Sequence, residues 1–469
     1  MRRYISILCI LSLMFSLAFM CGCNSEKSDT VVLRVSNWEE YIDLGDWDED
    51  EAIELEDAVI LGENSLVDDF EQWYFDTYGQ KVKVEYSTFG TNEELYNQLT
   101  IGDVYDLVCP SEYMIMKMLR EDMLVPLSDD FYDMNVEENY YAKGVSPYIK
   151  SRFDELNIDG NILSTYAAGY MWGTLGIVYN PEVVSKEEAM HWELLLNKDF
   201  AKQVTIKDSV RDAYFGAICY ANYDEITKDE FVNDPNYHEK LSEVLNRTDK
   251  ETVDRVQEVL TRCKDNVYSF ETDSGKADMV TGKVVANEQW SGDAVYTMDQ
   301  AVEDDVDLCY SAPLEGTNLW FDGWTMLKAG IEQDARKQHA AEAFINFVSM
   351  PENAIRNMYY IGYTSVISGG DDELIFDYID YNYGIEEGDE EEAVEYDIGY
   401  FFTDDYEAND DYIVLTYEDQ LDRQLFAQYP LKDVVDRSVV MACFDEEGNI
   451  RINRMWTNVR CFDISSLFR

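Results

Sequence analysis

Residues 31–109 alternate short apolar runs with amphipathic segments of helical periodicity. The apolar runs lie at 31–36, 81–87 and 105–109, and the helical segments lie between them at 65–78 and 92–99. Gly79 marks the end of the first helical segment, because glycine favours helix C-termini. Strands that alternate with helices form parallel sheets covered by helices, so this order predicts an α/β fold.

Six segments rich in aromatic rings adjoin the predicted strands and loops, and five of them also contain carboxylates. They are 37–41 (NWEEY), 89–93 (FGTNE), 110–113 (PSEY), 168–173 (AGYMWG), 288–293 (EQWSGD) and 320–324 (WFDGW). Ligands of such sheets bind at the carboxyl ends of the strands. One such segment alone is typical of an ordinary core with acids that face solvent. A core does not require acids at five such places, so their recurrence favours a common binding site.

The charge of the chain selects among possible ligands. Among 469 residues, 96 acidic and 36 basic ones give a formal net charge of −60. This charge disfavours nucleic acids and anionic membrane surfaces as partners, and it favours a cationic ligand. Only three histidines are present, and none lies near another in the sequence. We therefore predict no metal, no cofactor and no catalytic residue.

A polyamine is a cation that these segments are suited to bind. Its ammonium groups need carboxylates beside them, because an unpaired buried charge is costly. Its methylene groups need aromatic faces, and each well-placed cation–π contact contributes roughly 0.5–2 kcal/mol. Tryptophan and tyrosine beside aspartate or glutamate supply both.

Other functions remain open on these residues alone. Another organic cation, a small peptide or a sugar could occupy the site, although a sugar does not need several converging carboxylates. A secreted glycoside hydrolase would instead use two acids, such as Glu112 and Asp293, as a catalytic pair.

The order of these motifs resembles the spermidine/putrescine substrate-binding proteins of bacterial ABC transporters. The resemblance runs from about residue 31 to residue 365 and resumes at 429–430. Its landmarks are 37–41 (NWEEY), 91–96 (TNEELY), 105–113 (YDLVCPSEY), 170–173 (YMWG), 290–294 (WSGDA), 313–316 (PLEG), 321–322 (FD), 361–363 (IGY) and 429–430 (YP).

The resemblance implies a two-lobed, type II periplasmic-binding-protein fold with the ligand in a cleft between the lobes. It implies a ligand site of rings, carboxylates and hydroxyls. These residues are Trp38, Tyr41, Ser111, Tyr113, Asp212, Trp290, Asp293, Phe321, Asp322 and, at the rim, Tyr363. Glu39 and Glu112 add acids beside the cleft where relatives often carry neutral residues. Ser209 stands where many relatives have a second carboxylate, which leaves the choice between spermidine and putrescine open.

The implied protein is a monomer, is not an enzyme, and delivers its polyamine to the permease subunits of an ABC transporter. We predict a first lobe formed by 31–167 and 294–329, and a second lobe formed by 168–293 and 330–469. Acidic insertions are predicted at about 44–63 in the first lobe and about 370–416 in the second, the latter also rich in tyrosine.

The N-terminal segment is typical of a bacterial lipoprotein signal. Two arginines, an apolar stretch at 4–19 and the sequence Met20-Cys21-Gly22-Cys23 occur in order. Residues 1–23 are thus predicted to be the leader with lipidated Cys23, and 24–30 a tether outside the cytoplasm. An ordinary signal peptide or an uncleaved anchor is the alternative.

The first acidic insertion has the spacing of a calcium loop in part. Asp46, Asp48 and Asp50 alternate, and Asp57 is the twelfth residue. Glu51 stands where such a loop needs glycine, so we prefer a solvated loop to a calcium site. At the cleft mouth, the acids of this loop could also raise the local cation concentration.

Overall fold

The computed structural model describes residues 29–461, apart from 57, 387, 390 and 405–410. The predicted leader with Cys23 and residues 24–28 of the tether lie outside the described residues, and so does Asp57. Among the described residues, no helix has the length and apolar character needed to cross a bilayer.

Twelve strands form one mixed sheet, whose main path runs β11-β10-β12-β9-β14-β5-β1-β4. Strands β13 and β15 pair with β9, strands β6 and β18 pair with β14, and the remaining six form three separate antiparallel pairs. The strands are β1 (Thr30–Trp38), β2 (Ile53–Glu54), β3 (Val59–Ile60), β4 (Lys81–Phe89), β5 (Leu107–Val108), β6 (Leu124–Val125), β7 (Asn157–Ile158), β8 (Asn161–Ile162), β9 (Ala167–Tyr179), β10 (Val204–Lys207), β11 (Ser269–Glu271), β12 (Ala286–Trp290), β13 (Cys309–Ser311), β14 (Thr317–Leu327), β15 (Thr364–Ser365), β16 (Val394–Asp397), β17 (Ile413–Thr416) and β18 (Ser438–Val439).

Helices cover the sheet and connect its strands. The α-helices are Leu66–Tyr78, Asn92–Ile101, Glu112–Arg120, Tyr140–Gly144, Pro147–Glu155, Lys186–Ala189, Val210–Ala221, Tyr223–Ile226, Asp229–Val232, Tyr237–Leu245, Lys250–Asn266, Ser274–Val280, Ser291–Glu303, Lys328–Ile331, Arg336–Val348, Pro351–Ile361, Leu374–Tyr383, Gly399–Phe402, Gln424–Gln428, Lys432–Asp436 and Glu446–Arg460. Short 3-10 turns lie at Glu49–Glu51, Asp129–Tyr132, Leu163–Thr165, Trp192–Leu196, Lys198–Phe200 and Glu418–Asp422.

The predicted order of strands and helices at the N-terminus is confirmed. Strand β1 runs parallel to β4 and to β5, with the helices Leu66–Tyr78 and Asn92–Ile101 as the connections. The first helix begins where the Ser65 side chain accepts a hydrogen bond from the Asp68 amide, and it ends at Gly79 with φ of 66°. A serine N-cap and a left-handed glycine satisfy the free backbone groups at the two ends.

Two large apolar cores define two lobes. The first contains buried residues of β1, β4, β5 and β14 together with residues 167–172 of β9. The second contains Leu175, Ile177 and Tyr179 of β9 with the helices Val210–Ala221 and Lys250–Asn266. A smaller cluster around Met298 and Tyr310 includes Val178 of the same strand. Strand β9 therefore passes from one lobe into the other, and β14 pairs with it antiparallel.

The cores divide the chain differently from the predicted boundaries. Residues 330–435 were expected in the second lobe, but most of their buried apolar residues belong to the first core, and Ala427 belongs to the smaller cluster. The helix Arg336–Val348 packs on β1, and Phe344 contacts Phe70 with ring centroids 5.0 Å apart. Residues 294–310 were expected in the first lobe, yet Val295, Met298 and Tyr310 cluster with Val178 of the second-lobe part of β9.

The second acidic segment, 370–416, contributes buried residues to the first core. Ile375, Tyr378, Tyr396 and Phe401 are buried in the first core, so much of 370–416 is structural. Strand β12 ends at Trp290, directly before the helix that carries Asp293.

Candidate functional site

Several of the predicted site residues lie close together where β9 and β14 pass between the lobes. Trp320 and Asp322 are two residues apart on β14, so their side chains lie on the same face of the strand. A register shift between β9 and β14 falls directly after Asp322. Ser111 bridges to Asp322 as an isolated antiparallel pair, which joins the N-terminus of the helix Glu112–Arg120 to this strand.

Asp322 is the carboxylate on the first-lobe side. One oxygen accepts a hydrogen bond from the Tyr41 hydroxyl at 2.8 Å, and the other accepts from the Ser111 hydroxyl at 2.7 Å. Asp322 is only 6% exposed. Burial raises the pKa of Asp322 to about 6, while the hydrogen bonds from Ser111 and Tyr41 oppose the rise. The carboxylate is thus held by neutral donors.

The turn after β1 positions Tyr41. Glu40 adopts φ of 53°, a left-handed conformation that turns the chain back toward the sheet. The Tyr41 carbonyl then accepts hydrogen bonds from Asn37 Nδ2 at 3.0 Å and from the Tyr170 hydroxyl at 2.9 Å. The ring is therefore fixed by backbone contacts as well as by its hydroxyl.

Asp293 is a carboxylate on the second-lobe side. It lies in the first turn of the helix Ser291–Glu303. Oδ1 accepts a hydrogen bond from the Tyr363 hydroxyl at 2.9 Å and lies 3.6 Å from Lys276 Nζ. Oδ2 lies 3.5 Å from Lys207 Nζ, and the same ammonium stands 4.4 Å above the centroid of the Trp290 ring.

Asp212 is a second carboxylate on that side. Its Oδ1 accepts a hydrogen bond from Trp290 Nε1 at 3.2 Å. Its amide donates to Ser209 Oγ, which caps the helix Val210–Ala221. Burial raises the pKa of Asp212, against the opposing hydrogen bonds from Ser209 and Trp290. Like Asp322, Asp212 makes no ion pair with any cation in the described part of the chain.

Tyr363 joins the rings of the two sides. Its centroid lies 5.5 Å from that of Tyr41 and 5.5 Å from that of Trp320, both edge to face. Such contacts hold rings in fixed orientations and add to their burial energy. Tyr363, predicted for the rim, is therefore central to the ring cluster.

Trp320 is the site residue that the sequence interpretation missed. Phe321 was predicted beside Asp322, but it is fully buried and contacts Phe153 at 5.1 Å in the first core. Strand alternation puts Trp320 on the face of Asp322 instead. The i, i+2 spacing of Trp320 and Asp322 is a sequence signal that could have identified Trp320.

The remaining predicted residues lie around this centre. Trp38 packs against Phe89 with centroids 4.8 Å apart, and Glu39 is exposed.

Glu112 is buried beneath β14, where it accepts a hydrogen bond from the Phe321 amide at 3.1 Å. Burial raises the pKa of Glu112 to about 8, a rise that this backbone donor partly offsets. Glu112 thus supports the strand that carries Asp322.

Tyr113 contacts the opposite lobe. The guanidinium of Arg211, on the second-lobe helix Val210–Ala221, lies 4.1 Å from the Tyr113 centroid and 4.5 Å from that of Phe444. Arg211 Nη2 also donates to the Ala442 carbonyl at 2.8 Å. These contacts link the lobes beside the site.

Three cations beside the site were not predicted: Lys207, Lys276 and Arg211. Nothing in the residues around Lys207 indicated its burial, because lysines are rarely buried unless they are paired. Within the described residues, no cluster of three His, Cys, Asp or Glu side chains has the geometry to hold a metal ion.

Residues 65–373 match the family of bacterial extracellular solute-binding proteins. A spermidine/putrescine-binding periplasmic protein of Salmonella typhimurium is 24% identical over 341 residues, covering 72% of this chain and 78% of that protein. The Escherichia coli protein of the same description is 26% identical over 284 residues, 60% of this chain and 70% of its own. A putrescine-binding periplasmic protein of Pseudomonas aeruginosa is 24% identical over 365 residues, 75% and 82% of the two chains.

Solved structures are similar over nearly the whole chain. A spermidine/putrescine ABC transporter substrate-binding protein of Streptococcus pneumoniae has a TM-score of 0.58 at 22% identity, covering 92% of this chain and 98% of its own. A lipoprotein of Treponema pallidum has a TM-score of 0.60 at 17% identity, with coverage of 92% and 99%. They confirm the two-lobed α/β fold. Together with the sequence matches, which confirm the resemblance seen in the motifs, these findings show that the chain belongs to the bacterial extracellular solute-binding proteins.

Proposed function

We propose that the protein captures a polyamine, spermidine or putrescine, outside the cytoplasm and delivers it to an ABC permease. The two lobes close around the cation, and the closed form is the one that the permease recognises. Sequence relatives that carry polyamine-binding names support this assignment.

The observation that carries the proposal is the state of Asp322. This buried carboxylate accepts hydrogen bonds from two neutral hydroxyls, and it makes no ion pair within the described part of the chain. An ionised buried carboxylate is costly unless a cation compensates it. A ligand ammonium beside Asp322 supplies that compensation.

The rings beside Asp322 suit the rest of such a ligand. Tyr41, Tyr363 and Trp320 form a connected aromatic cluster, and Trp290 continues it toward Asp212. Aromatic faces shield methylene groups from water and attract ammonium groups by cation–π interaction. Rings and carboxylates in this order fit an alkyl chain that carries charges at intervals.

The competing functions have less support. A neutral sugar would leave Asp322 and Asp212 without a counter-ion. A glycosidase pair of Glu112 and Asp293 would need both acids at the substrate, yet Glu112 is bound to the Phe321 amide beneath β14, and Asp293 is bound by Tyr363 and two lysines. The family itself consists of solute-binding proteins.

Calorimetry with purified mature protein tests the proposal directly. Spermidine or putrescine should give a saturable heat, and native mass spectrometry should detect any polyamine that copurifies. Asp322→Asn should weaken binding by at least about 30-fold, as expected for one partner of a buried charge pair. The matched control is Asp278→Asn, which alters a buried carboxylate that already pairs with Lys283.

The calorimetry can fail in two ways, and each contradicts a different part of the proposal. If wild-type protein gives no heat with either polyamine, the assigned ligand class is wrong. If both polyamines bind but Asp322→Asn binds as tightly as wild type, the ligand lies elsewhere and the assigned site is wrong.

We also propose that the protein acts as a monomer held to the membrane by a lipid on Cys23. The relatives named as periplasmic support an extracytoplasmic location. The lipoprotein motif at Met20-Cys21-Gly22-Cys23 supports the anchor.

A further inference from the structure

Lys207 places an ammonium of the protein itself in the second-lobe half of the site. The residue ends β10 and is only 1% exposed. Its Nζ stands 4.4 Å above the Trp290 ring, and it donates to the Thr272 carbonyl at 3.0 Å. A ring with a carboxylate beside it is the arrangement expected for a ligand amine, and here Lys207 occupies it.

The carboxylates around Lys207 are therefore balanced internally. Nζ of Lys207 lies 3.5 Å from Asp293 Oδ2 and 3.6 Å from Glu271 Oε1. Lys276 approaches the other oxygen of Asp293 at 3.6 Å. Lys276 also lies 3.1 Å from Asp273 Oδ1, but the Asp273 side chain is exposed to water. The two buried carboxylates, Asp293 and Glu271, thus face two ammonium groups, and a further ligand cation at this place would find no buried carboxylate without a counter-ion.

Asp322 and Asp212 differ from Asp293 in this respect. Asp322 accepts only from hydroxyls, and Asp212 accepts from the Trp290 indole. Lys207 and Arg211 act on Asp212 through space, but neither is within ion-pair distance of it. Ser209, which caps the helix beside Asp212, is neutral. Two carboxylates in the site therefore need an external cation.

We propose, resting on the function proposed above, that the site selects a diamine over a triamine. Asp322 and Asp212 each receive one ammonium of the ligand, the rings between them cover its methylenes, and Lys207 fills the place that a third ammonium would take. Lys207 is in this view a specificity-determining residue.

Calorimetry with putrescine and spermidine as probes tests this selection. Wild-type protein should bind putrescine more tightly than spermidine by about tenfold or more, because a third charge beside Lys207 is repelled. Lys207→Met removes the ammonium and keeps much of the side-chain length. It should shift the ratio of the two dissociation constants toward spermidine by about tenfold or more. Lys283→Met, which alters a lysine paired with Asp278, should leave the ratio unchanged.

Thermal unfolding of each variant shows whether it folds. If Lys207→Met does not fold, Asp212→Asn decides, since it should weaken putrescine binding about as much as Asp322→Asn does. Stronger binding of spermidine by wild type, an unchanged ratio in folded Lys207→Met, or full putrescine affinity in Asp212→Asn would each overturn the inference. The absence of heat with both probes would instead overturn the proposed function.

Discussion

Tyr41 and Tyr363 meet edge to face with ring centroids 5.5 Å apart, and their hydroxyls donate to different carboxylates, Asp322 and Asp293. One carboxylate lies on β14 and the other on the helix that follows β12. The tyrosine pair thus connects the acids of the two sides through rings that touch.

Removal of the Tyr363 hydroxyl tests whether the tyrosine pair contributes to ligand binding. Tyr363→Phe keeps the ring and loses the hydrogen bond to Asp293, so polyamine affinity should fall by about 3- to 10-fold. Calorimetry measures the change. Tyr359→Phe, at an exposed tyrosine of the same helical region, is the control, and a drop of equal size there would contradict the assignment.

Ligand binding should weaken in acid. Burial raises the pKa of Asp322 to about 6, so this carboxyl takes up a proton as the pH falls through that value, while amines stay charged. Affinity should therefore fall as pH drops below about 6, approaching about tenfold per pH unit. Titrations between pH 5 and pH 8 measure the profile. Asp322→Asn should flatten it, and a profile equally steep in that variant would assign the effect to another group.

Stability should fall as pH rises through the neutral range. Burial raises the pKa of Glu112 and of Glu288 to about 8, from an ordinary value of 4.5. Between these values the folded chain holds protons that the unfolded chain has released, so unfolding becomes more favourable with rising pH until about pH 8. Urea unfolding of ligand-free protein at pH 6 and pH 8 measures the difference.

Replacement of Glu112 or Glu288 by glutamine should reduce the difference in unfolding free energy between pH 6 and pH 8. Glu112→Gln and Glu288→Gln retain an acceptor for the amides of Phe321 and Lys207 but carry no titrating group. Glu395→Gln, at an exposed site, should leave the difference intact. If it removes as much of the pH dependence as the buried variants do, the buried carboxyls are not its source.

The contact of Arg211 with Tyr113 should favour the closed cleft. Tyr113→Leu removes a ring that the guanidinium of the other lobe covers at 4.1 Å, a contact of about 0.5–2 kcal/mol. Ligand affinity should fall, and small-angle scattering should show a more open ligand-bound form. Tyr96→Leu is matched to it, because Lys117 covers Tyr96 at 3.3 Å within one lobe; equal effects of both variants would show that the contact does not act on closure.

The membrane attachment is tested at the proposed lipidation site. Cys23→Ala should release the protein from the membrane fraction, because the side chain that carries the lipid is lost. Fractionation with immunoblotting measures the distribution. Retention of Cys23→Ala in the membrane fraction would indicate an uncleaved apolar anchor.

The sequence predicted the fold class and much of the site for physical reasons. Parallel strands with helical connections bring their carboxyl ends to one edge, so Tyr41 and Ser111 were expected near one another from their places after β1 and β5. The motif Phe-Asp carries the resemblance and so predicts Phe321, whereas strand alternation places Trp320 on the same face as Asp322.

Other features depended on tertiary contacts that periodicity does not specify. The apolar face of the helix Arg336–Val348 indicates burial but not the lobe against which it packs, and its contact with Phe70 decided that. Lysines are rarely buried unless they are paired, so the position of Lys207 beside Asp293 and Glu271 could not be read from the residues around it.

Residues 330–435 return to the first lobe, and this return delays the completion of that lobe during synthesis. Strand β1 is made early, yet the helix Arg336–Val348 that packs on it is made roughly three hundred residues later. The second lobe also waits, because its core includes Ile452, Met455 and Val459 of the last helix, Glu446–Arg460. Both lobes therefore keep apolar surface uncovered until late in synthesis, and that surface needs protection from aggregation.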